Sequence, residues 1–428
     1  MNAFTFAKTK NLRGFYYSIF LWLYRLGVTI SSLWNEKARK WIDGRKNIFQ
    51  KIELELRDSN QDTVWIHCSS LGEFEQGKPV MEKIRQHYPN NKLVITFFSP
   101  SGYEIKKDYS GADHVFYLPM DSRRNSQKFL DIVKPALVIF IKYDYWYYYL
   151  TEIRKRRISC VLVSAVFRKD QAFFKWYGGL QREMLSCFTQ VFVQNEESKK
   201  LLETIKMNCV VSGDTRFDAV IETAEKFEPL AAIETFINSQ KVIVAGSTWK
   251  KDEEMLQLGF SKLDDPDIKL IIVPHEIHGA HLNEIKDLFP SSIRFSELST
   301  RASFQGNVLV IDNIGMLSRL YNYAHIAYVG GGFTNDGVHN VLEAAVYGKP
   351  VLFGNNYIKY REAVDLVNNG GAKSFSHSPE LYNILTKLLK NESDYQAQSK
   401  ASKQYVWENK GASEKVLSYI EINRLLTR

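Results

Sequence analysis

Ile326-Ala327-Tyr328-Val329-Gly330-Gly331-Gly332-Phe333-Thr334-Asn335-Asp336-Gly337-Val338-His339-Asn340-Val341-Leu342-Glu343 passes from an apolar tetrapeptide through three glycines into residues with helical spacing. The pattern predicts a strand, a glycine-rich turn and a helix over His339–Val346, the unit from which parallel α/β sheets are built. His339 and Glu343 stand four apart, which would put both on one face of that helix's first turns. Glycine lets the backbone approach a ligand closely, and exposed N–H groups at a helix start favour negative charge. The turn therefore suits a nucleotide phosphate or a sugar, although an ordinary tight turn with a locally bonded His339 fits it too. One His-x-x-x-Glu pair is too few ligands for zinc. Without Gly-x-x-x-x-Gly-Lys-Ser/Thr, a P-loop is not indicated either.

The same alternation of apolar run and amphipathic stretch extends in both directions. Before it, strands are predicted at Val64–Cys68, Lys92–Phe98, Val115–Leu118, Ala136–Ile141, Cys160–Val166, Val191–Val193 and Asn208–Val211, with helices between them such as Lys78–His87 and Glu196–Ile205. Residues 222–240 carry no strand signal and read as a connection. A second series follows at Lys241–Ala245, Ile268–Val273, Val308–Ile311, Ile326–Val329 and Pro350–Phe353. Its helices are predicted at Lys250–Ser261, Gly279–Leu288, Gly315–Tyr323, His339–Val346 and Arg361–Asn368, with a helical tail from Pro379. Two doubly wound, Rossmann-like α/β domains facing a cleft are the expectation, with ligands off the carboxyl ends of the strands. The predicted boundaries are an N-terminal anchor at 1–40, a first domain at 41–225 and a second at 226–428.

A chain of 428 residues exceeds what one core usually serves, and 45% apolar with 24% charged residues is ordinary globular composition. Cys68, Cys160, Cys187 and Cys209 are far apart and form no Cys-x-x-Cys, which fits reduced, buried thiols better than a disulfide framework. The net charge is +8, and residues 1–60 supply most of it, with 11 basic side chains (Lys8, Lys10, Arg13, Arg25, Lys37, Arg39, Lys40, Arg45, Lys46, Lys51, Arg57) against 5 acidic ones. So concentrated an excess argues against a nucleic-acid face within the folded domains and for an anionic surface near the N-terminus. Residues 15–34 are largely apolar and aromatic, and their one charge, Arg25, would cost roughly 2.5–3.5 kcal/mol at the centre of a bilayer. A membrane anchor, spanning or lying in the interface, is expected, with a helix packed on the domain as the alternative.

Several predicted strand ends carry candidate chemistry. Ser69-Ser70-Leu71-Gly72-Glu73 puts a carboxylate where a helix begins, either as a helix-start charge or as a base accepting a proton from a sugar hydroxyl. Gly246-Ser247-Thr248, Pro274-His275 and Gly315-Met316-Leu317 end or follow strands of the second series, on the same predicted edge as Gly337-Val338-His339-Asn340.

These segments, with Gly213-Asp214-Thr215-Arg216-Phe217-Asp218 and Gly337-Val338-His339-Asn340-Val341-Leu342-Glu343, resemble in order and spacing the 3-deoxy-D-manno-octulosonic acid (Kdo) transferases of lipopolysaccharide synthesis. The resemblance reaches from the N-terminus to about residue 372. It implies a GT-B fold and an inverting, metal-independent transfer without cofactor from CMP-Kdo to a lipid A precursor, lipid IVA, at the cytoplasmic side of the inner membrane. It further implies that Glu73 accepts the proton and that Arg216, where the family usually has Lys, stabilises the transition state. Ser247, Thr248, Pro274, His275, Gly315, Met316, Leu317, Gly337, His339, Asn340, Val341, Leu342 and Glu343 would hold CMP. Where many members read Glu-Thr-Glu-Leu-Trp-Pro, this chain has Lys142-Tyr143-Asp144-Tyr145-Trp146-Tyr147; Asp144 keeps one carboxylate and Lys142 reverses the other charge. Another GT-B nucleotide-sugar transferase or epimerase is the nearest alternative. A non-catalytic, membrane-tethered nucleotide-binding module is the alternative from a different class.

Overall fold

The computed structural model describes residues 3–57, 61–298 and 306–426, with side chains from residue 14 onward. Lys8, Lys10 and Arg13 therefore lie outside the described side chains. The chain forms two compact units, residues 1–219 with 411–428, and residues 220–410.

Unit one is built on β1 (Thr63–Cys68), β2 (Lys92–Phe97), β3 (His114–Tyr117), β4 (Pro135–Ile141), β5 (Ser159–Ala165), β6 (Gln190–Val193) and β7 (Val210–Val211). They form a 7-stranded sheet in the order β3-β2-β1-β4-β5-β6-β7. Unit two holds β8 (Lys241–Thr248), β9 (Ile268–Pro274), β10 (Ile293–Arg294), β11 (Val308–Val310), β12 (Ile326–Val329), β13 (Val351–Gly354) and β14 (Ala372–Phe375). Its sheet, also 7-stranded, runs β10-β11-β9-β8-β12-β13-β14. The pairings are parallel throughout. Parallel strands are covered on both faces, and the continuous apolar runs obey: every residue of β1 and of β9 is buried. The winding direction reverses between β1 and β4 in one sheet and between β8 and β12 in the other. At such points neighbouring loops leave on opposite faces of the sheet and open a crevice for ligands.

The edge strands β10 and β14 escape a reading of apolar runs. One is two residues long, and the other places Lys373 and Ser374 in its middle. A larger difference is at the carboxyl end. The helix Ala412–Ile422, which the sequence pattern assigns to the second domain, buries Val416, Leu417 and Ile420 in the core of unit one, and Asp218 accepts the N–H groups of Gly411 and Ser413. The first unit also ends earlier than predicted, inside the helix Thr215–Glu225.

Three helices precede β1: α1 (Ala3–Ser31), α2 (Glu36–Asp43) and α3 (Ile48–Leu56). Among the described residues no helix is long and apolar enough to cross a membrane, so a spanning anchor is not supported. One side of α1 is tied to unit one. Leu21 is buried, Tyr17 donates its hydroxyl to Asp121 Oδ2 (2.8 Å), and the Tyr24 ring meets Trp41 and Phe98. Phe15, Tyr16, Phe20, Trp22 and Leu23 are left exposed. The basic cluster is also partly occupied. Lys40 pairs with Glu36 and Lys46 with Asp43, both at 2.7 Å. Arg45 donates to the carbonyls of Leu118, Phe98 and Trp41 beneath an aromatic floor.

Candidate active site

In unit one, the loops after β1 and β4 meet at the sheet's reversal point. Ser69 and Ser70 follow β1, and α4 (Leu71–His87) begins at once, so Glu73 falls in its first turn and accepts from the Ser70 hydroxyl. Glu73 is half-buried. Asp144, in the loop after β4, is buried and accepts the Ser69 backbone N–H (3.0 Å) and the Ser69 hydroxyl. Burial pushes its carboxyl up to about 8; the Ser69 bonds oppose this and the nearby Glu73 charge reinforces it.

His67 lies behind Asp144, 3.6 Å away, but the pair is not ionic, because burial drives the His67 imidazole down to about 3. Trp146 donates Nε1–H to His67 Nε2 (2.9 Å), which assigns the ring proton to Nδ1, facing Thr96 Oγ1 at 2.8 Å.

Arg216 opens the helix Thr215–Glu225 and donates from Nε (2.9 Å) and Nη2 (2.7 Å) to Asp214 Oδ2. Burial alone would raise the Asp214 carboxyl; the Arg216 guanidinium, its hydrogen bonds and Lys142 outweigh that and hold it below the ordinary carboxylate range. Tyr143 lies within electrostatic reach of Arg168, Glu73, Arg216 and Asp214. Glu73, Asp144 and Arg216 thus gather at one edge of this sheet. The reversed charge, Lys142, sits in a left-handed turn (φ 67°) with Nζ 5.2 Å from the Tyr143 ring.

In unit two, β8 ends on Ser247 (φ 53°) and Thr248. The Thr248 hydroxyl is buried on Glu253 (2.8 Å), whose other oxygen meets His281 Nε2 at 3.0 Å. Pro274 ends β9, and His275 donates its backbone N–H to the Thr248 carbonyl (2.9 Å). The His275 ring stacks on both Trp249 (centroids 4.6 Å) and His339 (4.5 Å), which lie beside one another because Trp249 Nε1 donates to His339 Nε2 (3.0 Å). Burial, with the adjacent His275, draws His339 down to about 4, so it faces this stack uncharged near neutrality. Loops after β8, β9 and β12 thereby build one aromatic wall.

The glycines act differently from the sequence expectation. A Cβ on Gly330 would strike the Ser247 carbonyl, and one on Gly332 the backbone of Gly354, so these positions bring backbone against backbone. The Gly331 N–H is taken by the buried Asp252 carboxylate (2.9 Å), which also accepts the Trp249 N–H (3.0 Å) and the Tyr328 hydroxyl (2.6 Å). His339 N–H donates to the Gly330 carbonyl (3.0 Å), and helix forms only at Leu342–Ala345. The predicted shared helical face of His339 and Glu343 does not exist. Instead Asn340 donates Nδ2–H to Glu343 Oε1 (2.9 Å) and accepts the Leu342 N–H.

Val341 and Leu342 are wholly buried, so neither side chain is open to a ligand. Gly315 (φ 93°) and Met316 lead into the helix Leu317–Tyr323. The Leu317 side chain fills the space a Cβ on Gly246 would need, drawing this segment to the end of β8. Gly337 (φ 83°) packs under Tyr360.

Trp249, Asp252, Tyr143 and His67 are the neighbours that sequence reasoning missed. For Asp252 a signal existed, an acidic residue three positions after a helix-start position. No spacing rule announces the Trp249–His275–His339 stack, because its rings come from three separate loops.

Residues 44–219 match the family profile described as 3-deoxy-D-manno-octulosonic-acid transferase (kdotransferase). The chain is similar to the 3-deoxy-D-manno-octulosonic acid transferase of Aquifex aeolicus, 27% identical over 363 residues covering 83% of this chain and 93% of the relative. That of Haemophilus influenzae is 24% identical, covering 84% and 86%. A bifunctional glycosyltransferase/methyltransferase of Fusobacterium nucleatum is 27% identical over 91% of this chain, which spans 59% of that relative's length. Among solved structures, the UDP-GlcNAc 2-epimerase of Neisseria meningitidis bound to UDP-GlcNAc superposes with TM-score 0.60 at 19% identity, covering 83% of this chain and 98% of that one. A glycosyltransferase from Rickettsia africae gives 0.53 at 17%, covering 85% and 99%. At such identities these structures speak to the fold, that of GT-B-like proteins with two parallel-sheet units.

Proposed function

We propose that this chain, which matches the Kdo transferase profile at residues 44–219 and is similar to Kdo transferases over most of its length, moves Kdo from CMP-Kdo to a hydroxyl of a lipid A precursor, with inversion. The observation that carries this reading is the placement of Glu73: a half-buried carboxylate on the first turn of α4, at the reversal point of its sheet, inside the matched domain. As the bond to the anomeric carbon forms, Glu73 takes the proton from the acceptor hydroxyl, and CMP leaves with the bonding electrons. Asp144, holding its own proton near neutrality, adds no second charge beside Glu73.

To Arg216, its guanidinium oriented by Asp214, this reading gives the stabilisation of the developing negative charge. On unit two, the Trp249–His275–His339 wall and the Asn340–Glu343 pair receive the nucleotide. The exposed aromatics of α1 lie in the headgroup boundary of an anionic, inner-membrane-like surface, where the acceptor resides.

Calorimetry with CMP and UDP separates this reading from that of a UDP-sugar enzyme. CMP is expected to bind and UDP to bind more weakly. Glu343→Ala is expected to weaken CMP by about 1.5–3 kcal/mol, as for a hydrogen bond to a charged group. A preference for UDP, or unchanged CMP affinity in a folded variant, would count against the assignment.

A further inference from the structure

The end of β1 is clasped to the loop after β4 at two points. His67 Nε2 accepts from Trp146 Nε1 (2.9 Å), and Ser69 donates its backbone N–H to Asp144 Oδ2 (3.0 Å). His67 and Ser69 stand two residues apart, as do Asp144 and Trp146, so the two bonds form successive rungs between the segments. Behind the first rung a buried network continues into the sheet. Thr96 Oγ1 on β2 faces His67 Nδ1 and takes the Trp65 Nε1–H, both at 2.8 Å. Trp65, His67 and Thr96 are wholly buried, and a fully bonded buried network rigidifies what it joins. On its other side Trp146 packs on Phe98, with ring centroids 4.6 Å apart.

Apolar side chains of the same shape would hold these strands together about as well. What the polar network adds is direction. It fixes which way the Trp146 indole points, and with it the course of residues 142–146. That course leads to the candidate base. Asp144 also accepts the Ser69 hydroxyl, the next residue, Ser70, donates to Glu73, and α4 begins at Leu71. Tyr143, on the same segment, lies within electrostatic reach of Glu73.

We propose that His67 is a positioning residue for the transfer: by orienting Trp146 it sets the loop after β4, and through Asp144 and Ser69 that loop sets the first turn of α4, from which Glu73 accepts the proton. The inference rests on the reading of Glu73 as the base. Being wholly buried, His67 acts only through these neighbours.

Trp146→Phe removes the first rung and keeps a ring on Phe98, and the position is only partly buried, so the variant should fold. Misplacing a reacting group by about 1 Å can cost on the order of a hundredfold in rate. Its kcat with CMP-Kdo and a tetraacylated lipid A precursor should therefore fall roughly ten- to hundredfold, with CMP affinity by calorimetry unchanged. His67→Leu, which deletes the acceptor, should fall as far, and combining it with Trp146→Phe should lower kcat no further, because both remove the same bond. His67→Gln, whose amide oxygen can take the Trp146 N–H, should recover most of the rate. Hydrogen exchange over residues 69–75, measured without substrate, should quicken in Trp146→Phe and not in His67→Gln.

Unchanged kcat in a folded Trp146→Phe, or losses that multiply in the double variant, would overturn the inference. So would a His67→Gln as slow as Trp146→Phe. If the wild type transfers no Kdo at all, the Kdo transferase reading fails instead, and unchanged exchange over residues 69–75 in Trp146→Phe still overturns the clasp.

Discussion

Ser69 and Ser70 are adjacent in the chain, yet each serves a different carboxylate, Asp144 in one case and Glu73 in the other. Glu73 was legible because Ser-Ser-Leu-Gly-Glu follows an apolar run, so its position at a helix start could be read directly. The state of Asp144 was not legible, because it depends on burial by loops distant in sequence. Its consequence is measurable. An ordinary Asp ionises near 4, whereas Asp144 in the folded chain holds its proton up to about 8. Between those values the native state binds the extra proton, so this group lowers stability as pH rises through that window.

Asp144→Asn stays neutral at every pH and should remove the penalty. Asp121, raised to about 7 by burial, contributes with the same sign in both proteins and cancels in the difference. Denaturant unfolding should show the variant more stable than the wild type at pH 8.5, by on the order of 1–3 kcal/mol, with the gap closing toward pH 5. Parallel stability curves across that range would contradict the shifted carboxyl.

At the scale of elements, apolar runs located the strands well, since a strand buried on both faces has little freedom to be anything else. Local chemistry misled for the helix expected at His339–Val346. Gly331 and Gly337 take positive φ, and the His339 N–H is claimed by Gly330, so helical spacing was present without a helix. For α1 the sequence showed an apolar, aromatic segment, but not the contacts that tie one side of it to the fold.

Tyr17 is the firmest of those contacts, bonded to an Asp121 carboxylate that also accepts the N–H groups of Tyr148 and Tyr149. Tyr17→Phe deletes one donor to a buried carboxylate and should cost about 1–3 kcal/mol. Hydrogen exchange along residues 14–31 should quicken, while exchange in β12 and β13 stays unchanged. Equal protection of α1 in both proteins would show that its packing does not depend on this bond.

For the molecule as a whole, two doubly wound parallel sheets, differing in strand order at one edge, place each unit's candidate residues in loops at or beside the reversal point of its own sheet. Alternating strands and helices made that architecture readable, and the resemblance to Kdo transferases carried the residue roles. What the pattern could not tell was which core the last helix joins. Val416, Leu417 and Ile420 show an apolar face but not its partner, and the chain returns to unit one to bury it.

The division of labour proposed here puts the proton acceptor on unit one and the donor nucleotide on unit two. Its most direct test is mass analysis of a tetraacylated lipid A precursor after incubation with CMP-Kdo and the full chain, with Glu73→Gln run in parallel. The wild type is expected to add whole Kdo units and release CMP. The variant should lose about 10²–10⁴ in rate while still binding CMP. An acceptor of unchanged mass after incubation with a CMP-binding wild type, or near-wild-type transfer by the variant, would contradict the assignment.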